Sequence, residues 1–256
     1  QIASAGGGFT TVYSLALAED GETLYFVGQF DEVDGILRSS AAAVDAATGA
    51  TPTDFAPRLS DPNPGEPFVQ VHDLLIDGAW VYLCGDWWVT AEIGGQQNQR
   101  NVNRFDPSTG DVDLDFWIAT DGGVQACALD PSLGALFVGG HFDCVREWLD
   151  AETPVDPAPA QCGTDPLFVG TPQRDLFALR LADGALLDWN PDTGGAAGAW
   201  AMARAEGRLL VGGELFWPRT GPASHQGLLA FDVPLFADGF ENGKSDRWSL
   251  TQPPPF

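Results

Sequence analysis

One pattern of apolar and polar positions occurs four times along the chain. Its clearest copy, residues 124–142, has an apolar segment, a tight turn at residues 130–134 and a second apolar segment that ends in Gly139-Gly140. The other copies are residues 12–30, 71–87 and 199–216. The segments are short, β-branched and aromatic, without helical periodicity, so each copy predicts a pair of antiparallel β-strands.

Each copy continues into a third and a fourth predicted strand. The third ends in Val44-Asp45, Phe105-Asp106 or Phe231-Asp232, and the fourth closes with Asp54-Phe55, Asp115-Phe116 or Asp188-Trp189. The second strands are expected to end at glycines that suit a bulge or a close backbone approach: Gly28, Gly85, Gly139 and Gly212. Four antiparallel strands in a unit of roughly 50 residues are typical of a propeller blade. The predicted fold is therefore an all-β β-propeller of four-stranded antiparallel blades.

The repeat also divides the chain. Residues 1–235 are assigned to the propeller, with units at about 12–59, 68–118, 124–191 and 199–235 and an insertion at 143–173. Residues 236–256 form a separate C-terminal tail segment. Two alternatives stay open for the ring: four blades close it, or the chain is an excerpt of a larger propeller.

The residues of this pattern carry a family resemblance. The order V-x-A-L-x-x-D-G-x-L-x-V-G-G-x-F, then V-D-G-x-x-R at residues 33–38, then a D-x-x-T-G turn, resembles the delta-60-type propeller repeat of bacterial secreted proteins. It covers about residues 12–232. The resemblance implies a propeller fold and brings no catalytic residues with it.

The tail carries a second resemblance. Residues 236–248, from Phe236 to Trp248, are similar to the short A-D-G-F-E-x-G segments near the C-termini of secreted proteins from Gram-negative bacteria. This resemblance implies a native C-terminus. It also implies a protein that leaves the cytoplasm and is secreted, periplasmic or at the cell surface.

Charge excludes several classes of partner. The 256 residues carry 36 acids against 12 bases, a net charge of −24, and Lys244 is the one lysine. Such a field repels nucleic acid and anionic lipid and attracts cations and basic partners. No stretch is long and apolar enough to predict a transmembrane segment.

The four cysteines are interpreted in two pairs. Cys144 and Cys162 flank the Pro- and Asp-rich insertion, and we predict a disulfide between them, which implies an oxidising compartment. Cys84 and Cys127 lie inside predicted strands. They are either buried thiols or a second bridge between adjacent repeats, and the sequence does not decide between these.

Candidate chemistry is sparse. Asp111, Asp113 and Asp115 alternate along one predicted strand and are the calcium candidates, against the alternative of a solvated outer face. His72, His141 and His225 are isolated, and the chain has neither a G-x-S-x-G turn nor an H-E-x-x-H helix. We therefore predict no catalytic residues and no cofactor other than calcium.

The expected binding residues lie in loops between second and third strands. Among the tryptophans, Trp80, Trp117, Trp189 and Trp200 are expected in the core. The others, Trp87, Trp88, Trp148 and Trp217, are either exposed recognition residues or each packed over its own blade, and the sequence does not decide between these. Acidic residues of the same loops, which would steer a basic partner, are Asp86, Asp143, Glu147 and Asp150. The predicted partner surface is formed by residues 31–38, 86–100, 143–173 and 214–226.

Two function hypotheses follow. The first is a non-enzymatic binding or scaffold module, an accessory subunit that docks onto a multi-subunit envelope or extracellular protein assembly, with carbohydrate as another ligand class. The second is a carbohydrate-active hydrolase or lyase. The second needs acids that converge near the propeller axis, and Asp73 is the one acid inside a predicted first strand. Fold alone does not choose between the two.

Overall fold

The computed structural model describes residues 1–3, 10–51, 54–60, 69–89, 100–116, 118–147, 170–191, 193–218 and 225–232. Within these ranges the protein is all-β and contains no helix, so no helix there is long and apolar enough to cross a membrane. The strands are β1 (Ile2–Ala3), β2 (Thr11–Leu17), β3 (Thr23–Gln29), β4 (Glu32–Val33), β5 (Ile36–Leu37), β6 (Ala41–Asp45), β7 (Leu59–Ser60), β8 (Gln70–Ile76), β9 (Val81–Val89), β10 (Arg100–Phe105), β11 (Ile118–Thr120), β12 (Val124–Asp130), β13 (Ala135–Gly140), β14 (Cys144–Glu147), β15 (Thr171–Pro172), β16 (Leu176–Arg180), β17 (Gly194–Ala205), β18 (Arg208–Trp217) and β19 (His225–Asp232).

Four main antiparallel sheets contain the first three strands of each predicted unit. Sheet 1 is β2-β3-β6, sheet 2 is β8-β9-β10, sheet 3 is β12-β13-β16 and sheet 4 is β17-β18-β19. Two short sheets, β1-β4-β5 and β11-β14-β15, and the pairing of β7 with β9 extend this framework. The strand pairs predicted from the repeat are confirmed.

The predicted fourth strands are wrong. After β10 the chain forms one isolated bridge, Phe105 to Val112, and after β16 it forms another, Leu179 to Leu186. The reason is visible in sheet 2, where Arg104 Nε donates to Asp113 Oδ2 at 2.6 Å and the chain then turns to bury Phe116. The main sheets are therefore three-stranded, except that β7 adds a short fourth strand to sheet 2.

Consecutive sheets pack face to face. Strand β2 contacts β8, β8 contacts β12, and β12 contacts β17. In each sheet we call the face directed toward the sheet with the lower number the leading face. The opposite face, directed toward the sheet with the higher number, is the trailing face. Three apolar clusters fill the interfaces between sheets 1 and 2, 2 and 3, and 3 and 4.

The aspartate-aromatic pairs that were predicted to close the fourth strands have the same structural role in three units. These pairs are Asp54-Phe55, Asp115-Phe116 and Asp188-Trp189. The aromatic ring of each pair is buried and stands edge-on to an aromatic residue of the trailing face of the preceding sheet. The three ring contacts are Tyr25–Phe55, Tyr82–Phe116 and Phe137–Trp189, with ring centroids 4.9, 5.9 and 5.3 Å apart. This edge-to-face geometry stabilises aromatic pairs beyond the area they bury.

A β-bulge recurs at the same position of the first strand in every main sheet. The register shifts between Val12 and Ser14, Val71 and Asp73, Val124 and Ala126, and Ala199 and Ala201. A Cβ on the glycine opposite would lie 1.9 to 2.3 Å from a backbone carbonyl oxygen in the first strand or directly before it. The glycines required there are Gly28, Gly85, Gly140 and Gly213. The predicted strand ends at Gly85 and Gly212 are wrong, because β9 continues to Val89 and β18 to Trp217, and those at Gly28 and Gly139 are one residue early.

Covalent and polar links join the sheets. Cys84 on the trailing face of sheet 2 forms a disulfide with Cys127 on the leading face of sheet 3, with Cα atoms 6.5 Å apart. The carboxylate of Asp73 accepts hydrogen bonds from Ser14 Oγ at 3.0 Å and from the Cys127 amide at 3.1 Å. One aspartate of sheet 2 thus contacts sheets 1 and 3.

Candidate functional site: the rim of the sheets

We call the rim the end of the main sheets at which the first strands begin and the second strands end. The bulges place one extra residue of each first strand at the rim: Tyr13, His72, Gln125 and Trp200. The ring of Tyr13 lies 5.3 Å from that of His72, and Gln125 Nε2 contacts His141 Nδ1. Side chains from successive sheets therefore meet at the rim.

Two histidines and an acid come together there. The Gly123 amide donates to His141 Nε2 at 3.4 Å, and a Cβ on Gly123 would lie 3.4 Å from Asp86 Oδ2. Burial lowers the pKa of His72; the nearby Asp86 carboxylate opposes this effect, and His141 adds to it. His72 is therefore neutral at neutral pH. Among the described residues, no group of three or more histidine, cysteine or acidic side chains has the arrangement of a metal site.

A pocket of about 370 Å³ opens beside this group. It is lined by Asp121, Gly122, His141, Phe142, Asp143, Arg174, Asp175 and Gly195. Arg174 forms an ion pair with Asp143 at 2.5 Å, and both side chains are partly exposed. The lining combines three carboxylates, one guanidinium and one imidazole on parts of the chain far apart in sequence.

Hydrogen bonds from the backbone and from Thr193 hold two of the pocket carboxylates in position. Asp121 Oδ1 accepts from the amides of Asp143 and Cys144, both at 2.9 Å. Asp175 is buried at φ 60°, and Thr193 Oγ1 lies 3.5 Å from its Oδ2. A left-handed aspartate is uncommon outside turns, which marks a backbone held by its surroundings.

Asn101 holds the segment from Thr120 to Gly122 in place. This segment lies between the histidines with Asp86 and the carboxylates of the pocket. Asn101 Nδ2 donates to Thr120 Oγ1 and to Gly122 O, both at 2.9 Å, and its Oδ1 accepts from the Trp87 amide at 3.2 Å. The residue is buried, with φ 74°. Buried polar groups that are fully hydrogen-bonded make a structure rigid. Asn101 therefore holds the pocket-wall segment from Thr120 to Gly122 against sheet 2.

The predicted tryptophans have different outcomes. Trp87 is fully buried in the interface of sheets 1 and 2, and its Nε1 donates to Asn103 Oδ1 at 3.3 Å, so its assignment as an exposed recognition residue is wrong. Trp217 is partly buried, with Nε1 donating to Pro191 O at 3.0 Å. Trp200 was predicted in the core and is 60% exposed, whereas Trp189 is buried as predicted. Trp88 is described by its backbone in β9, and Trp117 and Trp148 lie outside the described residues.

The predicted acidic, calcium-site and disulfide residues also have different outcomes. Asp86 and Asp143 lie at the rim, Glu147 is described by its backbone in β14, and Asp150 lies outside the described residues. The alternation of Asp111, Asp113 and Asp115 along one strand is not formed, because Asp113 pairs with Arg104 and only Val112 makes a bridge. Cys144 is disulfide-bonded, and its predicted partner Cys162 lies outside the described residues.

Sequence reasoning missed several rim residues. His141 looked isolated, and Asp121, Arg174 and Asp175 belong to no recognisable motif. The available signal was the position of His141 directly after Gly139-Gly140, where a second strand ends. Its meeting with Asp86 depends on the packing of sheet 3 on sheet 2.

Comparisons with known proteins give no family. No protein-family model matches the chain, and no curated protein matches it. Among solved structures, the crystal structure of the computationally designed Ika4 protein is similar over 91% of this chain and 98% of that chain, at 13% sequence identity and a TM-score of 0.44. A similarity at this level carries no argument about fold or function.

Proposed function

We propose that the protein is a non-enzymatic binding and scaffold module whose rim binds a basic segment of a protein partner. Its four sheets are taken as blades of a β-propeller. The module acts outside the cytoplasm, as an accessory subunit of a larger envelope or extracellular assembly. The convergence of Asp86, Asp121 and Asp143 beside the rim pocket is the observation that carries this proposal.

The charges of the pocket favour a cationic ligand. Three carboxylates line it against one guanidinium, and the net charge of the chain is −24. A charge-lined concave site concentrates field lines and accelerates the arrival of an oppositely charged ligand. A lysine or arginine of a partner would compete with Arg174 for Asp143, and its aliphatic part would contact Phe142.

The framework supports a binding role. Asp121 and Asn101 hold the pocket wall through hydrogen bonds, and the apolar clusters between sheets lie directly beneath it. A rigid scaffold that presents loops at one end is a common arrangement for recognition. The Cys84–Cys127 disulfide and the bonded Cys144 suit an oxidising compartment.

A charge-matched comparison tests the rim. The probe is a fluorescent hexalysine peptide, and binding is followed by fluorescence anisotropy at several salt concentrations. Asp86→Asn with Asp143→Asn removes two rim charges, and Asp111→Asn with Asp115→Asn removes two charges beyond β10, at the opposite end of sheet 2. We expect binding to weaken roughly tenfold in the rim variant and less than about twofold in the control.

Two outcomes would contradict the proposal. Equal weakening in both variants would mean that the peptide responds to the overall charge of the chain. Unchanged binding in the rim variant would place the site elsewhere. The alternative, a hydrolase or lyase, remains a prediction, and the two acids of the first strands are engaged, Asp73 by Ser14 and Cys127 and Asp130 by Arg204.

A further inference from the structure

The trailing face of sheet 4 repeats that of sheet 3 position by position. The strand registers align Ala126, Ala128, Phe137, Gly139, Leu176 and Ala178 of sheet 3. The same positions in sheet 4 hold, in order, Ala201, Ala203, Leu210, Gly212, Leu228 and Ala230. Every residue of the first set is buried against sheet 4 or its surroundings, whereas Leu228 is 66% exposed. Sheet 4 thus has the side-chain pattern of a covered face.

The two aligned glycines show what such a face accommodates. A Cβ on Gly139 would lie 2.7 Å from Ala199 Cβ and 2.8 Å from Met202 Sδ, because sheet 4 packs closely there. A Cβ on Gly212 would have no neighbour nearer than 3.9 Å. Glycine at position 139 is explained by the approach of the next sheet. Glycine at position 212 would likewise allow another sheet to pack closely on sheet 4.

The leading face of sheet 1 is open along its first strand, β2, whereas Phe26 and Ala42 on the same face are buried against Ile2, Phe30 and Val33. Leu15 is 63% exposed and Leu17 is 53% exposed, although they align with Leu74 and Ile76 of sheet 2, which pack against sheet 1. Met202 and Arg204 hold the same positions in sheet 4 and pack against sheet 3. Among the described residues, the exposed first strand of sheet 1 and the exposed trailing face of sheet 4 therefore resemble two unpaired halves of the internal interface, one at each end of the series.

At one edge of a contact between sheet 4 and sheet 1, the residues of the two faces are also compatible with burial. Between sheets 3 and 4, Asp130 of the trailing face accepts from Arg204 Nε of the leading face at 2.8 Å. Sheet 4 has Ala205 where sheet 3 has Asp130, and sheet 1 has Leu17 where sheet 4 has Arg204. The acid and its cationic partner are thus both replaced by apolar residues. Joining the two open faces would bury no unpaired charge at this edge.

We propose that two copies of this chain associate head to tail, with the leading face of sheet 1 of one copy on the trailing face of sheet 4 of the other. The contact continues the sheet-on-sheet packing that the chain already makes three times. Such an interface is heterologous, and the smallest closed assembly is a dimer in which both pairs of faces are used.

The charge of the protein sets the sign of the salt effect. Each copy carries −24, so copies repel each other at low salt, and screening strengthens an apolar association. Binding of a basic peptide at the rim has the opposite dependence, because screening weakens it. Failure of one proposal is therefore distinguishable from failure of the other.

Substitutions on the two faces test the proposal by analytical ultracentrifugation of the full chain in high salt. Leu15→Glu and Leu228→Glu each place a charge on a face that is open in the monomer, so thermal unfolding should be unchanged. We expect each variant alone to associate at least tenfold more weakly than the wild type. Leu37→Glu is the control, because Leu37 is exposed on β5, outside the strands of sheets 1 and 4, and association should be retained.

Mixing the two variants gives the decisive result. The Leu15→Glu chain keeps an intact sheet 4 and the Leu228→Glu chain an intact sheet 1, so an equimolar mixture should form a one-to-one complex that neither forms alone. A wild type that stays monomeric at every concentration would overturn the proposal, because the faces would then be closed within the chain, covered by residues 233–256 or reserved for another protein. Association without complementation in the mixture would also overturn it, since like faces would then pair.

Discussion

Leu176 and Leu228 occupy the same position in consecutive sheets, but Leu176 is fully buried and Leu228 is 66% exposed. The difference arises because sheet 4 covers the trailing face of sheet 3, whereas no described strand covers sheet 4. Repetition of one sheet-on-sheet interface explains both the core and the open ends. The rim is one of the two ends of the sheets that this stacking does not bury.

The aligned glycines give a paired test of the stacking. Gly139→Ala should lower the free energy of unfolding by about 1–3 kcal/mol, because the new methyl group overlaps Ala199 and Met202. Gly212→Ala should change it by less than about 0.5 kcal/mol, because the position is open. Urea denaturation of both variants under conditions where the protein is monomeric measures the difference. Equal destabilisation would mean that the two positions have equivalent surroundings.

The disulfide between sheets should contribute substantially to stability. Cys84 and Cys127 are 43 residues apart, for which the chain-entropy model gives about 4 kcal/mol. Replacing both by alanine should lower the free energy of unfolding by about 2–4 kcal/mol. The control repeats both measurements in reductant, where the difference between wild type and variant should largely disappear. A difference that persists in reductant would assign the loss to packing instead.

The contribution of Asp73 to the free energy of unfolding should change with pH in the opposite direction to that of an acid whose pKa is lowered by folding. Burial raises the pKa of Asp73 above 3.8, against the lowering effect of the bonds from Cys127, Ser14 and the Leu74 amide. The folded state therefore holds this proton more tightly than the unfolded state, so the contribution to stability falls as pH rises from below 3.8 through the raised pKa. The unfolding free energy of wild type minus that of Asp73→Asn should decrease over this range.

Asp45 supplies the control of opposite sign. A hydrogen bond from the Thr48 side chain lowers the pKa of Asp45, which adds stability above the ordinary pKa and loses it as pH falls. The difference between wild type and Asp45→Asn should therefore increase with pH. Urea titrations of the three proteins between acidic and neutral pH decide the signs. A difference for Asp73→Asn that rises with pH would contradict the buried, proton-retaining aspartate.

The sequence was sufficient for the strand pairs and their repetition. Alternation of apolar residues, Asp-Gly turns and an aspartate at the end of the third strand determine the first three strands of each unit, because these signals act over a few residues. The residues after β10 were wrongly predicted as a strand, since capture of Asp113 by Arg104 depends on a contact that alternation does not encode. Trp87 was misassigned because β9 continues two residues past it, which directs its side chain into the interface.

The candidate site was less predictable than the fold. Asp86 and Asp143 were identified because they lie in loops that the repeat assigns to one end of the sheets. The meeting of His141 with Gln125 and Asp86 follows from the bulge and from the packing of neighbouring sheets. Neither has a local signal, because bulge position and sheet contact join residues far apart in sequence.

Zero-length cross-linking tests the rim as the partner surface most directly. A carbodiimide joins a lysine of the bound hexalysine peptide to whichever carboxylate it contacts, and mass spectrometry identifies the site. We predict that Asp86, Asp121 and Asp143 are the main cross-linked residues and that salt suppresses their modification. Cross-links concentrated on exposed acids at the opposite end of the sheets, such as Asp45, Asp111 and Asp115, would contradict the account.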